Sequence, residues 1–376
     1  MDNRPGVADD VRSAVSEGKI PWEEFVWLGS SHFVLPALYS AFERNGILPL
    51  LPADLTEHLQ HIYSLNLLRN RKILEQCWEL DSLLTSSGIA PLFLKGAGLL
   101  LSGLYPTMGD RIMEDIDILL PEKDIPIALN ILLQAGYIVH PPDPGKKDYN
   151  CHHHLPPMYH PRQVATLEIH RLPFHEKYKP ALSSVEVLGE GVPVTQPLWK
   201  ISGSVDPVSE SSPEGRFPAH EPLIPSVKHC QLLIFFHEHR VNQGYPFSTA
   251  TLKGLYDFYL LAKLRPSGPA DVPRGRFRKR YGQFCYTASK VFGNQELFTG
   301  EETPALRRNW KRQVFVLDHP EWGAFWHDYI FAAAIFAQLL VRAIRSGASG
   351  RLVVMKVKKI AGRSFGKATT CSSDTL

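Results

Sequence analysis

Residues 111–120 read Arg-Ile-Met-Glu-Asp-Ile-Asp-Ile-Leu-Leu, and two acids, Asp115 and Asp117, interrupt an otherwise apolar run. Ile116, Ile118, Leu119 and Leu120, bounded by Pro121, predict a strand. Side chains alternate faces along a strand, so Asp115 and Asp117 point the same way, roughly 7 Å apart. Two carboxylates on one face repel each other unless water, protons or cations offset them. Such hard oxygen ligands suit Mg²⁺, which is commonly held by one or two carboxylates plus substrate phosphates. The bland alternative is a strand end with two solvated acids.

The neighbourhood narrows this choice. Upstream, Gly88-Ile89-Ala90-Pro91-Leu92-Phe93-Leu94-Lys95-Gly96-Ala97-Gly98 reads as a short strand running into a glycine-rich turn, with a helical stretch, Leu99 to Tyr105, after it. Glycines at such a turn let the backbone approach a phosphate, and Lys95 adds a cation. The competing reading pairs Lys95 with an acid, Asp110 or Glu114, in a structural role. Downstream, residues 164–170 (Val-Ala-Thr-Leu-Glu-Ile-His) form another strand-like run whose Glu168 and His170 share a face. A third carboxylate on a neighbouring strand would complete a two-metal site for in-line phosphoryl displacement. The order of parts fits a small mixed sheet with helices on one face: an α+β fold flanked by N- and C-terminal helical regions.

Leu94-Lys95-Gly96, Tyr105-Pro106, Arg111, Asp115-Ile116-Asp117 and Ala135-Gly136-Tyr137 occur in that order. In this the chain resembles the bacterial uncharacterised nucleotidyltransferase family, a divergent branch of the polymerase-beta-type nucleotidyltransferase superfamily. Leu67-Leu68-Arg69-Asn70, Leu167-Glu168-Ile169-His170, His237 and Leu255-Tyr256-Asp257 extend the likeness over roughly residues 30 to 265. The resemblance implies Asp115, Asp117 and Glu168 as catalytic metal ligands for Mg²⁺, two ions in all. It implies Lys95, Gly96, Gly98 and Arg111 around the phosphates of an NTP, with His170, His237 and Asp257 as supporting residues. The chain departs from the superfamily pattern in two places. The usual Gly-Ser or Gly-Gly turn is Lys-Gly-Ala-Gly here, with a longer gap to Asp115, and Glu168 stands where Asp is usual.

The chain has 376 residues, 44% hydrophobic and 21% charged, the composition of a globular protein. Five widely spaced cysteines (Cys77, Cys151, Cys230, Cys285, Cys371) give neither a disulfide framework nor a zinc ribbon, and a cytoplasmic location is expected. The N-terminus shows no apolar signal stretch. The longest apolar run, Tyr329 to Val341, has 13 residues including Gln338, too short to span a bilayer. Residues 1–88 are expected to be helical, 89–200 to hold the nucleotidyltransferase-like core, and 201–225 to form a flexible connection. Residues 226–346 should again be helical, ahead of a basic tail, 347–376. Helices are placed at Val34–Arg44, Leu55–Ser86, Asp124–Ala135, Val227–Arg240 and Thr249–Leu264.

From residue 329 to the end, eight Lys or Arg face one acid, Asp374. Neither this stretch nor Arg274–Arg280 interleaves aromatics with its charges, so a nucleic-acid partner is not expected. His152-His153-His154 lacks helical or strand spacing for one metal, and His237-Glu238-His239 lacks the His-Glu-x-x-His spacing of zinc proteases. Three functions stay open: transfer of a nucleoside monophosphate from NTP to an unknown acceptor, nucleotide or partner binding without turnover, and a kinase-like phosphotransfer.

Overall fold

The acidic run does form a strand, and it lies in the middle of a seven-stranded mixed sheet. The structure is a computed structural model that describes residues 6–141, 152–194, 221–240, 250–266, 271–273, 275, 277–294 and 301–319. Most of the expected connection, the Tyr329–Val341 run and the basic tail lie outside the described residues.

The N-terminal region is helical: α1 (Val7–Ser16), α2 (Trp22–Ser31), α3 (Leu35–Arg44) and α4 (Ala53–Thr85). Asn45 and Gly46 end α3, with Gly46 at φ 63°, the left-handed region where glycine costs nothing. The 33-residue α4 packs its first half with α3 through Leu35, Tyr39, Phe42, Leu55, Leu59 and Tyr63. Its second half runs beneath the sheet.

The sheet follows with β1 (Leu92–Leu94), α5 (Lys95–Leu101), β2 (Asp115–Leu119), α6 (Ile125–Gln134), β3 (Ile138–Val139), β4 (Met158–Tyr159) and β5 (Thr166–His170). Then come α7 (Ser184–Gly189), β6 (Val192–Pro193), β7 (Leu223–Ile224), α8 (Val227–Arg240), α9 (Leu252–Leu264) and α10 (Phe277–Phe292). The strand order is β3-β4-β5-β2-β1-β7-β6. β2 runs antiparallel to β1 and parallel to β5, with Asp117 level with Glu168.

Helices cover both faces of this sheet, not one as the order of parts suggested. Phe93, Ile116, Ile118, Leu167 and Ile169 face a core built with α4, α5 and α6. Leu92, Leu94 and Leu119 face a second core with Phe174, Tyr178 and the apolar sides of α8, α9 and α10. The sheet has apolar residues on both sides because both are buried. Asp115 and Asp117 share the face of Leu119, at the end of β2 where that second core stops. β7 also comes from the end of the stretch read as a connection. Between Pro222 and Pro225 its two residues pair with β1 in parallel, an arrangement set by tertiary packing.

The chain divides into two compact units: Met1–His239 with Ala250–Gly300, and Arg240–Thr249 with Glu301–Leu376. The second contains α11 (Pro304–Asp318), capped by the Thr303 hydroxyl. No helix among the described residues is long and apolar enough to cross a membrane.

The segment entering β2 has no regular structure, so its carbonyls need partners. α4 supplies them. The Asn70 amide donates to the carbonyls of Met108 (2.6 Å) and Arg111 (2.8 Å), and the Asn66 amide to those of Gly109 (2.7 Å) and Arg111 (3.0 Å). Asn70 is fully buried. Asn70→Leu strands the Met108 carbonyl and should cost about 1–3 kcal/mol, read as a lower denaturant midpoint. An unchanged midpoint would mean that the clamp contributes nothing.

Candidate active site

The turn from β1 into α5 is sharper than the sequence suggests. α5 starts at Lys95, not at Leu99, because Lys95 itself takes φ 47°, a left-handed value uncommon outside glycine. The glycines are therefore the first turn of the helix. A Cβ on Gly98 would lie 2.3 Å from the Phe93 carbonyl oxygen, so this glycine lets α5 close onto β1. Gly98 is not among the residues lining the cavity described below, and its placement gives it a packing role where the resemblance implied a phosphate contact. Gly96 does line that cavity.

Asp117 is fully buried, and one of its oxygens, Oδ1, accepts from the Lys95 ammonium (2.7 Å) and from His170 Nε2 (2.6 Å). A carboxylate only accepts, so His170 carries its proton on Nε2, while Nδ1 lies 3.3 Å from the Leu172 carbonyl. Burial works against the Asp117 charge, but Lys95 and His170 outweigh it and hold this carboxyl far below its usual range. Burial and Lys95 work against charge on His170, yet Asp117 and Glu168 hold its pKa above the ordinary histidine value. Glu168 Oε2 stands 3.5 Å from His170 Nε2 and 4.0 Å from His154 Nε2.

Asp117, Glu168 and His170 thus converge, each offering a ligand atom within 4.8 Å of the others. Asp115 is not in this trio. It lines the adjacent cavity, where burial first and the charge of Asp117 second push its pKa up to about 6. His170, expected only in support, is the third member.

The cavity, about 280 Å³, is lined by Lys95, Gly96, Arg111 and Asp115 on one side and by His237 and Lys253 on the other. Arg111 already has a partner: Nη2 lies 2.9 Å and Nε 3.0 Å from Asp257 Oδ2, while the Tyr105 hydroxyl donates to Asp257 Oδ1 at 2.7 Å. The guanidinium that the resemblance implied at the phosphates thus has its charge balanced by Asp257 while it lines the cavity. Tyr105, Arg111 and Asp257, far apart in the chain, are thereby one buried network. His237 is pushed down to about 4 by burial and by Lys95 and Lys253, so it is neutral at pH 7.

Sequence reasoning missed three residues. His153 and His154 lie against His170 with their rings tilted to it, centroids 5.3 Å away in each case, and His154 bridges to His170 in the sheet. Burial, ahead of the neighbouring cations, lowers both imidazoles, His153 to about 2. They arrive through pairing across a long loop, which local spacing does not reveal. Lys253 was legible in principle, since it lies one helical turn before Asp257 and so shares its face.

Residues 18–198 match the model of a family described as uncharacterised nucleotidyltransferase. Over that stretch the chain is similar to this family. The stretch carries β1, α5, β2 and β5, hence Lys95, Asp115, Asp117, Glu168 and His170, and the family match supports a nucleotidyl-transfer role. His237, Lys253 and Asp257 lie beyond the matched residues. No curated protein and no solved structure matches the chain.

Proposed function

We propose that the protein transfers a nucleoside monophosphate group from an NTP to an acceptor hydroxyl, with release of pyrophosphate and dependence on Mg²⁺. The observation that carries this reading is the convergence of Asp117 and Glu168, level on adjacent parallel strands, beside a cavity lined by cations. The donor set fits a hard divalent ion. Asp115 lies close enough that, after burial, the charges of Asp117 and Glu168 raise its pKa, and carboxylate oxygens are hard ligands. Asp117, Glu168 and Asp115 would hold the metal, with His170 orienting Asp117. When bound, the ions supply positive charge to the phosphates and acidify the acceptor hydroxyl.

The remaining work belongs to the chain. The acceptor oxygen attacks the α-phosphorus, the bond to the β-phosphate oxygen breaks, and pyrophosphate leaves. The acceptor proton passes to a carboxylate, for which Glu168, 19% exposed, is better placed than buried Asp117. The cavity between α5, α8 and α9 holds the nucleotide in line, so positioning and charge neutralisation carry the rate.

One observation favours a second reading. Lys95 and His170 already neutralise Asp117, as they would in a domain that binds nucleotide without turnover. ATP labelled at the α- or the γ-phosphate distinguishes the readings. Nucleotidyl transfer puts only the α label on an acceptor and releases pyrophosphate. Acceptor carrying the γ label would indicate phosphotransfer, and ATP binding with no pyrophosphate would indicate a binding module.

A further inference from the structure

Three cationic side chains line the cavity, and they differ in what they have left to offer. Lys95 is bonded to Asp117 and Arg111 to Asp257. Lys253 has no such partner: no acidic group among the described residues lies within ion-pair distance of it. Its ammonium sits 5.0 Å from the centre of the Phe33 ring, a contact that offsets only part of the hydration it has lost.

The surroundings hold it there. Phe33 takes φ 57°, a conformation uncommon for a bulky residue and one that collects at functional sites. The preceding residue, His32, accepts a hydrogen bond at Nδ1 from the Leu252 amide (3.1 Å), tying the end of α2 to the first turn of α9. The Thr251 hydroxyl caps that turn by accepting from the Gly254 amide at 3.0 Å. Lys253 is thus presented to the cavity by anchored backbone on both sides.

We propose that Lys253 is the cavity's phosphate-binding cation and takes the phosphate chain of a nucleoside triphosphate. This rests on the nucleotidyl-transfer reading above and assigns the task there to a residue outside the family-matched stretch. An unpartnered, partly desolvated ammonium gains most from an anion with several strong acceptors, as a polyphosphate has. Burial, and then the charge of Arg111, hold the Lys253 pKa below its ordinary value.

The test is calorimetric titration of the full chain and of Lys253→Met, which keeps a stem over Phe33 and removes the charge. ATP, AMP and inorganic tripolyphosphate serve as probes, each with Mg²⁺ and with EDTA. Lys263→Met, an exposed lysine on the same helix, is the control. Lys253→Met should weaken ATP and tripolyphosphate by roughly tenfold or more, leave AMP within about twofold, and melt no lower than the parent. The control should match the parent. Unchanged ATP affinity, or equal loss for ATP and AMP with a lowered melting point, would overturn the role. If the parent binds ATP and Lys253→Met loses it while no pyrophosphate is ever released, Lys253 keeps its role and the transfer reading fails. If the parent binds neither ATP nor tripolyphosphate, both fail.

Discussion

Asp117→Asn should lower nucleotidyl transfer by at least about a hundredfold while the fold survives. The substitution keeps size and shape and removes the charge on which Lys95, His170 and, in the proposed reaction, a divalent ion all depend. A lost metal ligand removes charge stabilisation worth several kcal/mol in the transition state. The structural cost should be smaller. Breaking a fully buried pair costs about 3–5 kcal/mol, but the Lys95 side chain is 24% exposed and can turn to water. Discounted for that screening, about 1–2 kcal/mol of stability is expected to go. Circular dichroism and melting report the fold, and label transfer reports the chemistry. A variant that turns over normally would make the acidic pair structural and end the enzyme reading.

Gly98→Ala should destabilise the domain by about 3 kcal/mol, the upper end of what overpacking usually costs. The new Cβ would meet main-chain atoms of Phe93, oxygen at 2.3 Å and carbon at 3.1 Å, on a strand bonded on both sides and unable to retreat. Gly96→Ala should behave differently. Its nearest neighbours would be Arg111 Nη1 at 3.1 Å and Met113 Cβ at 3.3 Å, contacts that a shift of a few tenths of an ångström relieves. A loss under about 1 kcal/mol is expected, with weaker nucleotide binding as the methyl enters the cavity. Urea unfolding of the two variants separates these roles. Equal destabilisation, or a Gly98→Ala protein as stable as the parent, would contradict the packing assigned to α5.

These contrasts show what was readable in the sequence. β2 was, because period-two alternation in an apolar run leaves little choice of structure, and it fixed which acids share a face. α8 was also placed where it lies, at Val227–Arg240. The convergence of Glu168 with Asp117 needed only strand pairing and a guess at register. The start of α5 was hidden, since nothing local announces that Lys95 will take a positive φ. So was the second helical layer: a sheet buried on both sides and one buried on a single side differ little over strands of two to five residues. β7 is two residues long between prolines, and only its partners β1 and β6 make it a strand. The partners of Lys95 and Arg111 were out of reach for a simpler reason. Asp117 lies 22 residues from Lys95 and Asp257 lies 146 from Arg111, so no spacing rule connects them.

The central claim is that Asp117 and Glu168, with Asp115, hold a divalent ion beside the nucleotide, and it can be tested before any acceptor is known. Mn²⁺ is titrated into the full chain and into Asp117→Asn, with and without ATP, and the free-ion paramagnetic resonance signal is followed. The parent should bind Mn²⁺ saturably and more tightly with ATP, and Asp117→Asn should bind it at least about tenfold more weakly. Absence of saturable binding by the parent, or equal binding by the two proteins, would contradict the account.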